Sequence, residues 1–375
     1  MLALPVSTAD IGFVHSMVMM SLCWLIMTAG AFLILAVNLR FPPGCNMVSM
    51  AKATLGLPGQ VLAWVTYLVL LYALLSAYIS GGSDVLNGIL SRFHLDMPSW
   101  VTVVMFTLLF GAIVYQGIRA VDYINRGLMF GKLGVYLLLL VLIAPHVHFP
   151  ALHTGSTGAV TGSLMILITS FGFASIVPSL REYFQDDVPG LRRVILLGSL
   201  IPLFCYILWN LAIMGVLQHE GNDTLSALLH SGHATSGLND ALRSVITSPW
   251  IDGFFGFFTA ICMVTAFLAV SLGLFDFLAD GLKLNKKGRQ GHATLALTFL
   301  PPLAIVLINP GIYLSALSYA GICCVMLLLL LPAIMAWRSR RVAGSDEVIL
   351  VPGGNIVLLL VVGIGVCLLY FAASQ

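Results

Sequence analysis

The sequence predicts an all-α membrane protein with ten complete crossings, and three observations carry that prediction. Hydrophobic residues make up 59% of the 375 and charged residues only 9%, with a mean hydropathy of +1.03, whereas soluble domains carry about 25% charge. The apolar residues fall in runs of roughly 20 or more, the length a helix needs to cross the hydrocarbon core. Within those runs polarity does not alternate, which excludes barrel strands of about ten residues. Little chain is left over for a soluble catalytic domain.

In order, the runs cover 12–38, 58–82, 98–116, 127–145, 159–183, 191–217, 250–278, 292–309, 311–336 and 355–372. Residues 1–10 are apolar but too short to cross, and they include Pro5, so they read as the outer half of a first helix, reaching from mid-membrane to one surface. Basic residues in the loops orient the chain, because Lys and Arg are retained on the cytoplasmic side. One side holds Arg40, Lys52, Arg119, Arg126, Arg181, Arg192, Arg193, Lys283, Lys286, Lys287, Arg289, Arg338, Arg340 and Arg341, and the other only Arg92 and Arg243. The first side is therefore expected to be cytoplasmic, which leaves the 218–249 loop and the carboxy terminus outside a multi-pass protein of the cell inner (plasma) membrane. Lys132 is the one basic residue inside a span.

A formal net charge of +2 is too small to suggest a nucleic-acid partner. Cys23, Cys205, Cys262, Cys323, Cys324 and Cys367 lie in apolar runs and only Cys45 in a loop, so neither a disulfide framework nor a zinc spacing is expected, and no metal or other cofactor. The opening MLALPVSTAD lacks the basic region of a cleavable signal.

Two stretches look interrupted. In 159–183 the sequence Ser170-Phe171-Gly172-Phe173-Ala174-Ser175 is followed by Val177-Pro178. Proline donates no backbone hydrogen bond and disfavours helical geometry before it, and glycine tolerates conformations that other residues avoid. A break near 171–177 and a simple proline kink are both compatible with this pattern. In lipid a break survives only where the freed backbone groups face protein, water or ligand, which is why interrupted helices mark binding sites in transporters. The opening LALP piece is a second candidate, five spans earlier. Units offset by an odd number of crossings run oppositely through the membrane, as an inverted repeat requires. Half-helices meeting near the midplane would offer partly positive amino ends to a substrate carboxylate and free carbonyls to its ammonium.

Several strings in order carry a resemblance over essentially the whole chain: MLALP at 1–5, AYISGG at 77–82, AVDYINR at 120–126, TSFGFASIVPSL at 169–180, IPLFCYILWNLAIMG at 201–215, FLAVSLGLFDFLAD at 267–280, FLPPLA at 299–304 and YAG at 319–321. With these the chain resembles the hydroxy/aromatic amino acid permease family, most of all its tyrosine permease branch, within the amino acid–polyamine transporter superfamily. The resemblance implies a leucine-transporter-like fold of 5+5 inverted repeats plus an eleventh helix, in one transport domain over 1–372. The first repeat would be 1–145, the second 159–336 and the extra helix 355–372, with the first helix truncated to its outer half. It also implies proton-coupled uptake of an aromatic L-amino acid, tyrosine first among them. Two positions depart from the family pattern: Ala174 stands where tyrosine-carrying members show histidine, and Ala36 where a glutamate is common.

By the same resemblance, the substrate-binding residues are expected to be Met1, Leu2, Ala3, Tyr72, Ser76, Tyr78, Ser170, Phe171, Gly172, Phe173, Phe267 and Ser271. Phe171 and Phe173 would box the substrate ring or else pack on neighbouring helices. Tyr67, Leu71, Leu74 and Tyr78 draw one helical stripe and Tyr72 and Ser76 an adjacent one, the pattern of helix packing as well as of a lined pocket. Lys132 lies six residues past Arg126, about 9 Å from the inner helix end, within partial reach of water for a snorkelling side chain. The resemblance gives it a second reading: it would stand where sodium-coupled relatives hold an ion, with Ser271 facing it, and its protonation would couple transport to protons. Asp276 and Asp280 beside Lys283, Lys286 and Lys287 read as a solvated charge cluster, and Trp209 as packing. His146, His148 and His153 share one loop.

The expected activity is thus carriage by alternating access, with an aromatic L-amino acid, a proton and the lipid bilayer as partners and no covalent chemistry. Sodium coupling is the alternative within carriers. A membrane-embedded enzyme would need convergent catalytic groups at bilayer depth, and a channel would need rings of charge or filter loops; the sequence offers neither.

Overall fold

In the computed structural model the described residues are 1–95, 97–153, 160–185, 187–217, 223–230, 234–246, 248–342 and 354–374. All regular structure among them is helical. The helices are α1 (Ala3–Ser7), α2 (Phe13–Asn38), α3 (Met47–Arg92), α4 (Ser99–Tyr115), α5 (Ile118–Ile143), α6 (Val160–Ser170), α7 (Val177–Tyr183), α8 (Val188–Leu217), α9 (Asp223–His230), α10 (Ala234–Val245), α11 (Pro249–Gly281), α12 (Gly288–Ile308), α13 (Tyr313–Cys324), α14 (Leu331–Val342) and α15 (Gly354–Ala373). Among the described residues nine stretches are long and apolar enough to cross a membrane, and α4, at 17 residues, is the shorter tenth. Each of the ten runs read from the sequence coincides with one of these.

Two compact units divide the chain. One comprises residues 1–14, 71–158 and 208–317, the other 15–70, 159–207 and 318–375. Each draws helices from both halves of the chain.

In the first unit, α11 packs along α5, α4 and α12. Its core is aromatic. Trp209 stacks on Phe255 with centroids 5.7 Å apart and touches Phe258 and Tyr136, while Phe267 sits among Phe106, Phe110 and Phe299. Helices α9 and α10 lie inside the 218–249 loop, a stretch without a span-length apolar run. Leu238, Ala241, Leu242 and Ile246 are buried at spacings of three, one and four, the single apolar stripe of a surface helix. The amino end of α10 is capped from α3: the Asp84 carboxylate accepts hydrogen bonds from Thr235 Oγ1 (2.6 Å), Ser236 N (2.9 Å) and Ser236 Oγ (2.8 Å), which suits both the unpaired amides and the positive end of the helix dipole.

Prolines explain another bond. Pro301, inside α12, has no N–H to give the Leu297 carbonyl one turn back. The Tyr72 hydroxyl on α3 donates to that carbonyl at 2.7 Å.

In the second unit, α13 and α14 are joined by a π-helical turn, Val325–Leu330, against which α15 packs. Wide turns of this kind loosen the hydrogen-bond ladder and recur at functional sites. Close approach there depends on missing side chains: a Cβ at Gly30 would fall 2.4 Å from the Leu328 carbonyl oxygen, and one at Gly321, the glycine of YAG, 2.2 Å from that of Met165. Arg181 on α7 is 6% exposed and ties down the end of α2, donating to the Asn38 carbonyl, to Asn38 Oδ1 at 3.3 Å and to the Phe41 carbonyl at 2.8 Å. A guanidinium among the last carbonyls of a helix meets the negative end of its dipole.

Candidate functional site

The crossing that the sequence marked as interrupted is broken. Helix α6 stops at Ser170, Phe171 and Gly172 leave the helix, a 3₁₀ turn covers Phe173–Ile176, and α7 resumes at Val177 with Pro178 in its first turn. The last turn of α6 tightens, with Phe171 N donating to the Ile168 carbonyl (3.0 Å) and Gly172 N to that of Thr169 (3.1 Å). Proline sits where its missing donor costs nothing.

Tyrosines from two other helices serve the break. On its near side the Tyr206 hydroxyl of α8 reaches the Ser170 carbonyl at 3.4 Å, and the Tyr206 ring lies 5.5 Å from that of Phe171. On its far side the Tyr67 hydroxyl of α3 hydrogen-bonds the side chain of Ser175. A backbone interruption in lipid must find such partners or stay hydrated. Phe171 is 2% exposed, while Gly172 and Phe173 remain partly accessible. Gly172 has φ −75°, an ordinary value, so its need for glycine is steric: a Cβ would lie 3.0 Å from Cys324 Sγ and 3.2 Å from the Thr169 carbonyl oxygen.

The remaining expected residues lie in the other unit. Met1 is partly exposed and Leu2 and Ala3 are buried at the start of α1. Met1 and Lys132 both lie within electrostatic reach of Cys262 on α11, and Tyr313 interacts with both Cys262 and Tyr78. These side chains stand on α5 (Lys132), α11 (Cys262), α13 (Tyr313) and α3 (Tyr78). Lys132 is half-buried and no carboxylate among the described residues lies within ion-pair distance of it. Ser76 is 1% exposed, and its hydroxyl has no hydrogen-bond partner among the described residues. Ser271 is fully buried and its hydroxyl donates to the Phe267 carbonyl one turn back at 2.6 Å. Phe267 is enclosed by the rings named above and Tyr72 is engaged by Leu297.

Sequence reasoning missed Tyr206, Cys324, the π turn and the Asp84 cap. Tyr206 and Cys324 carried a signal only in retrospect, one in IPLFCYILWNLAIMG and the other three residues past YAG. Elsewhere, Lys286 joins Asp276 (2.7 Å) and Asp280 (3.5 Å) in an exposed cluster. Its ammonium is held above the ordinary lysine range by the Asp276 hydrogen bond first, against some desolvation, with Asp280 adding to it. His148 Nδ1 lies 3.0 Å from the His146 carbonyl oxygen, while the His153 side chain lies outside the described residues.

Residues 1–372 match the model of the tryptophan/tyrosine permease family. The chain belongs to that family. It is 33% identical over 374 residues to tyrosine-specific transport system 2 of Haemophilus influenzae, covering 98% of this chain and 91% of that protein. To a tryptophan-specific transport protein of Pseudomonas aeruginosa it is 29% identical, covering all of this chain and 91% of the relative. Among solved structures it is similar to MHP1, a nucleobase-cation-symport-1 family transporter captured closed with bromovinylhydantoin bound, with a TM-score of 0.61 at 13% identity, over all of this chain and 90% of that one. That likeness establishes a leucine-transporter fold. As a family member the permease is a multi-pass membrane transporter and not an enzyme.

Proposed function

We propose that this permease imports an aromatic L-amino acid, tyrosine foremost, together with a proton, by alternating access. The observation that carries the reading is the interruption at Phe171–Gly172. A zwitterion needs polar groups at a depth where lipid offers none, and a discontinuous helix supplies them without introducing a charged side chain. The carboxylate would take backbone amides past Gly172, because those of Phe171 and Gly172 are already bonded to the last turn of α6, and the ring would lie beside Phe171 and Phe173. The Ser76 hydroxyl, the Tyr78 side chain and the backbone of Met1, Leu2 and Ala3 complete the proposed set of substrate-binding groups. Tyr72, Phe267 and Ser271 would act as positioning residues, since their polar atoms or rings are engaged by the protein. Relatives named for tyrosine and for tryptophan support the substrate class.

Lys132 would carry the coupling proton: it is an amine in a span, half-buried, with no carboxylate among the described residues at ion-pair distance. The loop charges support placement in the plasma membrane with the carboxy terminus outside. The two inverted repeats, 1–145 and 159–336, with 355–372 as an extra helix, remain the proposed internal plan.

The test is uptake into proteoliposomes of labelled tyrosine, tryptophan and phenylalanine in mutual competition, with a pH gradient, a protonophore, and sodium present or withheld. Uptake should collapse with the protonophore and survive sodium removal. Lys132→Ala should abolish gradient-driven accumulation while leaving exchange; concentrative uptake at the wild-type level in that variant refutes the coupling role, and strict dependence on sodium replaces it with sodium symport.

A further inference from the structure

Away from the break, the first unit contains a cavity of about 300 Å³ where α3, α10 and α11 come together, contiguous in its lining with a more polar one of about 400 Å³. The first volume is at the lower end of the range for small-molecule sites. The charge pattern of the loops assigns this end of α3 to the outer side. Its walls are apolar, from Val85, Ile89, Phe93 and Phe257, and its rim is charged.

The rim groups have capacity to spare. The Arg92 guanidinium gives Nη2 to Asp252 at 2.8 Å, and its Nη1 instead faces Gly256, 3.9 Å from where a Cβ would be. Arg243 lies one turn from Asp240 on α10, and both line the polar end. Two carbonyl oxygens, Oδ1 of Asn87 and Oδ1 of Asn239, are buried without a donor, and a buried acceptor left unanswered costs about 1–3 kcal/mol. Asp84 is absent from this reserve because its carboxylate is spent on α10. Gly256 keeps the floor open: an added Cβ would make ordinary contact with Arg92 Nη1 and Asn239 Nδ2 (4.0 Å) and clash with nothing.

A ligand answering all of these at once has an anionic group for Arg92 and Arg243, a multiple N–H donor for the two amide oxygens and Asp240, and an apolar body for the walls. An α-amino acid with an aromatic side chain has that combination. We propose that this cavity is a second binding site for the aromatic amino acid substrate, separate from the interrupted helix; this rests on the transport reading above. The Asp240 carboxyl is held above its ordinary range by burial, with Arg92 and Arg243 opposing, so an arriving ammonium would return it toward the charged form.

The test is equilibrium binding of labelled L-tyrosine to the purified full chain in lipid nanodiscs. The wild type should bind two per chain. Gly256→Leu, which fills the floor, should bind one, and Asn239→Ala should weaken the second site at least tenfold while leaving the first. Gly172→Val should lose the first site and keep the second. N-acetyl-tyrosine amide, which lacks both charges, should not compete at the second site. One molecule bound to the wild type, or two bound to both Gly256→Leu and Asn239→Ala with unchanged affinity, overturns the second site and leaves the transport reading standing. No binding to the wild type overturns both.

Discussion

Replacing Gly172 by alanine tests how tightly the interruption is built. The new Cβ would meet Cys324 Sγ at 3.0 Å and the Thr169 carbonyl oxygen at 3.2 Å, both closer than carbon ordinarily approaches. Overpacking of this kind costs about 1–3 kcal/mol. The sulfur is the nearer obstacle and can be removed: Cys324→Ala empties a fully buried position, and on its own should cost about 1 kcal/mol as a small cavity. In the double variant the alanine methyl occupies space that the sulfur vacated, while the Thr169 carbonyl still presses on it. The two changes should therefore couple favourably by about 1 kcal/mol, above the roughly 0.3–0.5 kcal/mol scatter of independent sites. Denaturant or thermal unfolding of the four proteins in one detergent reads the stability cycle, and L-tyrosine affinity reads the same cycle at the ligand. Additive losses would refute the argument, because they would mean that Gly172 is not held against the sulfur.

The other expectations are shorter. Tyr72→Phe leaves the Leu297 carbonyl without the donor that Pro301 cannot supply, and should lower stability by about 1–2 kcal/mol; restoring a backbone donor with Pro301→Ala in the same chain should recover part of it. Arg181→Gln removes a charged donor from the carbonyls ending α2 and should cost about 2–4 kcal/mol, read as unfolding of the second unit by hydrogen exchange at residues 30–41. For Lys286 the folded-state ammonium is held above its unfolded value, so the stability it adds is fully present below about pH 10 and fades only as pH rises through the raised value. Lys286→Met should thus show a pH-independent deficit of no more than about 1 kcal/mol across neutral pH, vanishing in strong alkali. A deficit that grows toward acid would contradict this.

The helices were legible because a span must be apolar for some twenty residues, and nothing else in this chain is. The break at 171–172 was legible as a possibility, since Gly172 and Pro178 weaken a helix without dictating where it ends; the tyrosines that settle its hydrogen bonds come from helices more than thirty residues away in sequence. The π turn at Val325–Leu330 was not legible, because CCVMLLLLLPA reads as an ordinary apolar helix. Helices α9 and α10 were passed over for a related reason: their composition is that of a loop, and the apolar stripe on α10 has meaning only once there is a core beneath it. Lys132 stood out by its charge, whereas Cys262, within its electrostatic range, is a residue type that a membrane span hides well.

Tyr67 and Tyr206 give the interrupted crossing a further property. A phenol oxygen lies on the axis about which its ring turns, so either ring can rotate in place while its hydroxyl keeps the same partner. The Ser170 carbonyl and the Ser175 side chain are thus each held by a group whose ring can turn without letting go.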